Sequence, residues 1–248
     1  MFDKNEYRLT KDWHTHTIYS DGTGSIEDNV RAGIDKGLKS IAITDHGYNH
    51  TLHGMKRDKL KEMRKEIERL RKIYDIEILL GVEANLISKK GEIDLTQDEC
   101  KEFDVINMGL HRSVKYSKAS EWWTLFIRNL LWNTKKHSKT LTEMYVRAIE
   151  NYPITTVVHL HEYKKINLKP IADICKQKGV NIELNAKRMF FNQQEIDYLR
   201  NNRNDLIIGS DAHRPERVGE YGKIQELIPA LNIPVENIVN LVKVDKIV

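Results

Sequence analysis

Seven apolar, β-branched runs recur along the chain: "DWHTHT", "SIAITDH", "IEILLGVE", "VINMGLH", "TTVVHLH", "NIELNA" and "LIIGSDAH". Short runs of this kind read as strands, and near-continuous apolarity implies burial on both faces of a sheet. Most are separated by segments with helical spacing. Leu60, Met63, Ile67, Leu70 and Tyr74 place one apolar stripe on a strongly charged helix, and the charged remainder reads as a solvated outer face. Ser25 followed by Asp28 marks a helix start, because the Ser hydroxyl caps free backbone N–H groups and an early acid suits the helix dipole. That helix is predicted to reach Lys36 before Gly37 stops it. Strands alternating with helices about every 35 residues make βαβ units and a parallel sheet, here one closed or nearly closed α/β barrel. The longest interval, from Arg112 to Pro153, is predicted to hold two helices, with "EWWTLFIRNLLW" the more apolar and packed into the core.

Six of the seven runs finish on His, Asp or Glu: His14 and His16, Asp45 and His46, Glu83, His111, His159, and Asp211 with His213. In a strand His14 and His16 point to one face, so they form a ready pair of ligands. Carboxyl strand ends form the rim of a parallel barrel at which loops converge and chemistry is done. Six histidines with carboxylates between them, and no thiolates, suit a borderline divalent metal such as zinc, iron or manganese. One tetrahedral zinc needs three protein ligands and a water, so this supply predicts two or three ions sharing a bridging carboxylate. Glu83 is the natural bridge.

Composition narrows the picture without redirecting it. Of 248 residues, 40% are hydrophobic and 31% charged, a globular balance rather than a disordered one. The 40 basic and 36 acidic residues leave a net charge of +4 with no block of like charge, so nucleic acid is not an expected partner and a small anionic substrate is compatible. Cys100 and Cys175 belong to no paired pattern, which excludes a zinc knuckle and a disulfide framework and points to a reducing cytoplasm. The amino terminus is charged throughout, and no apolar run is long enough for a membrane span, so neither a leader nor a membrane is expected. Nothing in composition or spacing predicts the oligomeric state.

"HTH" with "SDG", then "TDH", "GVE", "GLH", "VVH" and "GSDAH" resemble, in order across residues 12 to 213, the motifs of the polymerase and histidinol phosphatase (PHP) superfamily of metal-dependent phosphoesterases. "GVEANLISKKGEIDL" is most similar to its small stand-alone phosphatases. The resemblance implies a distorted seven-stranded parallel β/α barrel, TIM-like, forming a single domain over residues 1–248. It implies that His14, His16, Glu83 and Asp211 hold one metal, that Glu83, His111 and His159 hold a second, and that Asp21, His46 and His213 hold a third. Asp45 then resembles a group that orients a ligand imidazole. One departure stands out: where the family commonly has proline after the fifth motif, "HLHEY" supplies His161. If that strand stays extended, His161 shares the face of His159, one residue pair nearer the rim, as a proton donor or phosphate contact.

Metals with open positions supply hydroxide at neutral pH and neutralise phosphoryl oxygens. The expected activity is therefore hydrolysis of a small phosphate monoester, histidinol phosphate among the possible substrates, by a metal-activated hydroxide in a trinuclear site. Glu83, Asp211 and His161 are the expected catalytic groups, and Arg112, Arg188, Arg214 and Arg217 the candidate substrate-binding cations. The competing readings are a 3′-end nuclease or phosphodiesterase and a metal-binding accessory module without turnover.

Overall fold

The computed structural model describes residues 6–122, 135–162 and 166–244. Its strands are β1 (Tyr7–Leu9), β2 (Lys11–Asp12), β3 (Ser40–Ile43), β4 (Glu77–Asn85), β5 (Val105–Gly109), β6 (Thr156–Val157), β7 (Asn181–Asn185), β8 (Leu206–Gly209) and β9 (Leu241–Lys243). Between them run α1 (Ile26–Asp35), α2 (Leu60–Leu70), α3 (Gln97–Cys100), α4 (Ala119–Trp122), α5 (Lys135–Asn151), α6 (Leu168–Lys178), α7 (Gln193–Asn202) and α8 (Ile224–Ala230). β2 through β8 form one parallel sheet in sequence order, a nearly closed barrel with helices around it, as the alternation of elements predicts. Strand interiors such as Ile41, Ile43, Ile78, Leu80, Val82, Ile106 and Met108 are buried, which is why their sequence carries no polar alternation.

The helices follow their local signals. Ser25 accepts the Asp28 N–H while Asp28 accepts the Ser25 N–H, a reciprocal cap that starts α1, and Gly37 at φ +76° ends it after Lys36. In α2 the buried positions are Met63, Ile67 and Leu70. Tyr74 lies past the helix end. Most of "EWWTLFIRNLLW", expected in the core, falls in residues 123–134, outside the described residues.

The barrel does not close by strand pairing. β2 is only two residues long, and beyond it a lone parallel bridge joins Thr15 to Ala212. Side chains span the rest of the seam. Asn240 donates to the carbonyls of Lys11 (2.8 Å) and Ile208 (2.7 Å) and accepts the Ile208 N–H (3.0 Å). Nearer the rim the buried Asp12 carboxylate accepts the N–H groups of Ser210 (3.2 Å) and Gly219 (2.8 Å). These polar side chains take backbone groups that a longer β2 would have paired, so strand structure stops earlier than the apolar run suggests. β1 and β9 pair antiparallel beside this seam, in the register Tyr7 to Lys243 and Leu9 to Leu241. Among the described residues no helix is long and apolar enough to cross a membrane.

Candidate metal centre

Several of the polar residues are delivered to the carboxyl strand ends by specific backbone devices. After β2 the chain folds back over residues 17–22, and a Cβ on Gly22 would stand 2.5 Å from the His16 carbonyl, so only glycine lets this turn close. The turn returns Asp21 to within 3.8 Å of His16 Nδ1 and 3.5 Å of His46 Nε2. His46 continues β3 by a parallel bridge to Glu83 on β4. His159 and Asp211 have φ of 32° and 51°, left-handed values that cost a non-glycine residue energy and persist where surrounding contacts enforce them. The His159 N–H donates to Glu183 at 2.7 Å, one such contact.

All nine expected ligands come together. His16, Asp21, His46 and His213 form one group of donor atoms within 4.8 Å of one another, and His14, His16 and Asp211 form a second. His14, Glu83 and His159 form a third and His46, Glu83 and His111 a fourth. Glu83 is central: Oε1 lies 3.6 Å from His14 Nε2, 3.1 Å from His111 Nε2 and 2.5 Å from His159 Nε2, while Oε2 lies 3.5 Å from His16 Nε2 and 2.8 Å from His46 Nδ1. Ligands on one tetrahedral zinc stand about 3.4 Å apart when its bonds are about 2.1 Å, so several of these separations match a shared cation better than a hydrogen bond. The buried atoms His14 Nε2, His16 Nε2 and His111 Nδ1 have no hydrogen-bond partner, and His46 Nδ1 and Glu83 Oε2, although 2.8 Å apart, are not aligned for one. Orphaned buried atoms in such number around Glu83 fit a divalent ion, whose bonds would take the place of the missing hydrogen bonds.

Electrostatics agree. Burial alone raises a carboxylate, but the imidazoles of His111, His46, His14 and His159 hold Glu83 well below its usual range. Burial lowers an imidazole, yet Glu183, Glu83 and Asp211 lift His14 well above its ordinary value, and Glu83 and Asp21 lift His46 to about 10. With carboxylates fixed as anions, the cluster draws positive charge, as protons or as metal ions.

Three features were not read from the sequence. Glu183, on the one strand without a terminal ligand, accepts His14 Nδ1–H at 2.6 Å and so turns Nε2 toward the cluster. An acid between Ile182 and Leu184 in a buried strand was the available signal. Lys187 places Nζ 2.9 Å from His213 Nδ1 and 3.2 Å from Asp211 Oδ1. His50 stacks on His46 with ring centroids 4.6 Å apart and lines the same cavity. Burial, with His46 and His111 nearby, lowers it to about 4.

Two expectations need correction. Asp45 bonds no imidazole directly: it accepts the Thr17 N–H (2.7 Å), the Thr17 hydroxyl (2.6 Å) and the Ser20 hydroxyl (2.5 Å), which itself lies 3.5 Å from His16 Nδ1, and thereby fixes the turn that carries Asp21. The "VVHLH" segment does not stay extended, since β6 ends at Val157 and His161 has φ 76°. His161 therefore leaves the face of His159. It is buried, accepts the Ile166 N–H at Nδ1 (3.1 Å), lies 3.3 Å from Glu195 and meets Phe191 edge-on.

The candidate cations separate. Arg188 lines a cavity of about 220 Å³ over the cluster, with Lys187 and Glu162, and pairs with Glu162. Arg112 lines an adjoining cavity. Arg214 is exposed, and Arg217 pairs with Glu220 at 2.9 Å and lines a different cavity with Tyr7 and Asp35.

Residues 12–225 match the PHP domain family. The whole chain aligns at 28% identity with a probable phosphatase of Caldanaerobacter subterraneus, of which it covers 92%. With the DNA polymerase/3′-5′ exonuclease of Bacillus subtilis it shares 26% identity over 86% of this chain and 36% of that protein. The solved histidinol phosphate phosphatase of Lactococcus lactis, complexed with zinc, L-histidinol and phosphate, matches with a TM-score of 0.59 at 17% identity, over 91% of this chain and 95% of that one. At that identity the likeness is one of fold.

Proposed function

The chain belongs to the PHP domain family and is a metal-dependent phosphoesterase, and from that premise we propose that it hydrolyses small phosphate monoesters at a site of two or three divalent ions. The observation that carries the reading is the cavity of about 220 Å³ whose lining combines Glu83, Asp211 and four cluster histidines with the cations Lys187 and Arg188. It is small for a ligand pocket, and suits one phosphoryl group and the first atoms of its leaving group.

Bound here, zinc, manganese or iron supplies a nucleophilic water at neutral pH and offsets phosphoryl charge. His14, His16, Glu83 and Asp211 would hold one ion, Glu83, His111 and His159 another, and Asp21, His46 and His213 a third. The protein's own work is positioning. Glu183 fixes His14, Asp45 fixes the Asp21 turn, and Lys187 and Arg188 orient phosphoryl oxygens from the open side. His50 accepts the His53 N–H at Nδ1, which leaves Nε2–H as a neutral donor beside the substrate.

The test is a panel of phosphate esters with the metal-loaded protein, run beside Glu83→Gln. Monoesters should turn over and diesters should not. The variant should stay folded and lose about a thousandfold or more in kcat, because an amide cannot supply the charge that serves several cations. Diester turnover alone would establish the nuclease reading, and full metal loading without turnover would establish the accessory module.

A further inference from the structure

The catalytic cavity opens beside a larger one of about 540 Å³, and the two share Glu162, Lys187 and Arg188. A monoester whose phosphoryl group sits over the cluster must send its leaving group past these shared residues. The lining beyond them is chemically uneven. Arg112, Arg188, Lys187 and Lys223 bring four basic groups and Glu162 the single acid, while Met189, Phe190 and Leu227 provide an apolar wall. Glu162 is already engaged, by Arg188 and by His159 Nδ1 at 3.3 Å. Lys223 is exposed and has no ion-pair partner among the described residues. Phe190 is 44% exposed, so its ring offers an accessible apolar face to whatever enters the cavity.

We infer that this cavity is the leaving-group subsite and that it selects a leaving group with an anionic substituent, a second phosphate or a carboxylate, carried on an apolar or planar body. The inference rests on the monoesterase reading above. Arg188 is paired with Glu162 and Lys187 with Asp211, so the attraction for an anionic group and the repulsion of a cationic one centre on Lys223, with Arg112 on the same lining. An amino alcohol such as L-histidinol, positively charged at neutral pH, is the kind of leaving group this lining disfavours.

Aryl phosphates of similar shape separate the possibilities. Phenyl phosphate carries a neutral leaving group, 4-carboxyphenyl phosphate and hydroquinone bisphosphate carry anionic ones, and 4-(aminomethyl)phenyl phosphate carries a cation. For the metal-loaded protein, kcat/KM should fall from anionic to neutral to cationic by about tenfold per step, and the spread should narrow as salt rises. A larger value for the bisphosphate than for the carboxylate would identify the second group as phosphate, and the reverse would identify it as carboxylate. Lys223→Glu should cut the ratio of carboxylate to neutral substrate at least fivefold, with Lys223→Gln between it and the parent, and with circular dichroism and metal content confirming intact variants. Equal values across the probes, preference for the cation, or an unchanged ratio in Lys223→Glu would overturn the subsite while phenyl phosphate turnover left the monoesterase reading standing. Failure to hydrolyse any monoester would remove both.

Discussion

Glu183 has the smallest visible presence at the cluster and a large share in its order. It lies in β7 and binds two expected ligands at once, His14 through Nδ1 and His159 through its backbone N–H. The space is tight: a Cβ on Gly209 would meet Glu183 Oε1. Glu183→Gln should therefore leave the fold intact and weaken metal affinity by about 10–100-fold, the usual cost of removing a carboxylate behind a ligand imidazole. Titration calorimetry with zinc would show it, and unchanged affinity would demote Glu183 to a packing residue. Eight of the nine expected ligands were legible because each is an ionisable residue ending an apolar run, whereas Asp21, in the turn after the first run, was implied by the family resemblance alone. Glu183, Lys187 and His50 were not, since their roles depend on which neighbour each one meets across the barrel. His161 fails for a related reason: period-two reasoning assumes extended backbone, and the left-handed turn at residues 159 and 161 breaks it.

At the scale of elements, helices were easier to read than strand ends. The reciprocal cap at Ser25 and Asp28 and the stripe on α2 are local signals with local consequences. The length of β2 is a tertiary outcome, set by Asp12 and Asn240 taking backbone partners across the seam. Asn240→Ala would leave the carbonyls of Lys11 and Ile208 and the Ile208 N–H without this partner. Buried groups left unpaired cost about 1–3 kcal/mol each before relaxation, so a loss of roughly 2–4 kcal/mol is expected. Urea denaturation should report it as a lower midpoint with an unchanged slope. A loss within about 0.5 kcal/mol would mean that the seam holds without Asn240.

The whole molecule is a barrel whose expected ligands, Asp21 in its turn apart, come from six strand ends, with His14 and His16 on one side of the seam and Asp211 and His213 on the other. Metal binding should therefore be worth stability as well as activity. An ion present at a thousandfold its Kd adds about 4 kcal/mol, and a domain of this size gains about 2–4 °C in Tm per kcal/mol. Elemental analysis should find two or three ions per chain, and chelation should lower Tm by roughly 10 °C, reversibly on restoring zinc or manganese. At most one tightly bound ion after reconstitution would remove the shared-carboxylate arrangement.

The seam also dictates when the site comes into being. Asp12 and Ser210, which meet across it, are 198 residues apart in the chain. At about 5–20 residues per second, a ribosome delivers the second roughly 10–40 s after the first. Through that interval the histidine pair of residues 14 and 16 has only part of its partner set, and no nascent chain that stops short of β8 can assemble the cluster. Activity thus requires the chain through β8 and on to Asp211 and His213, however early the first strands have paired.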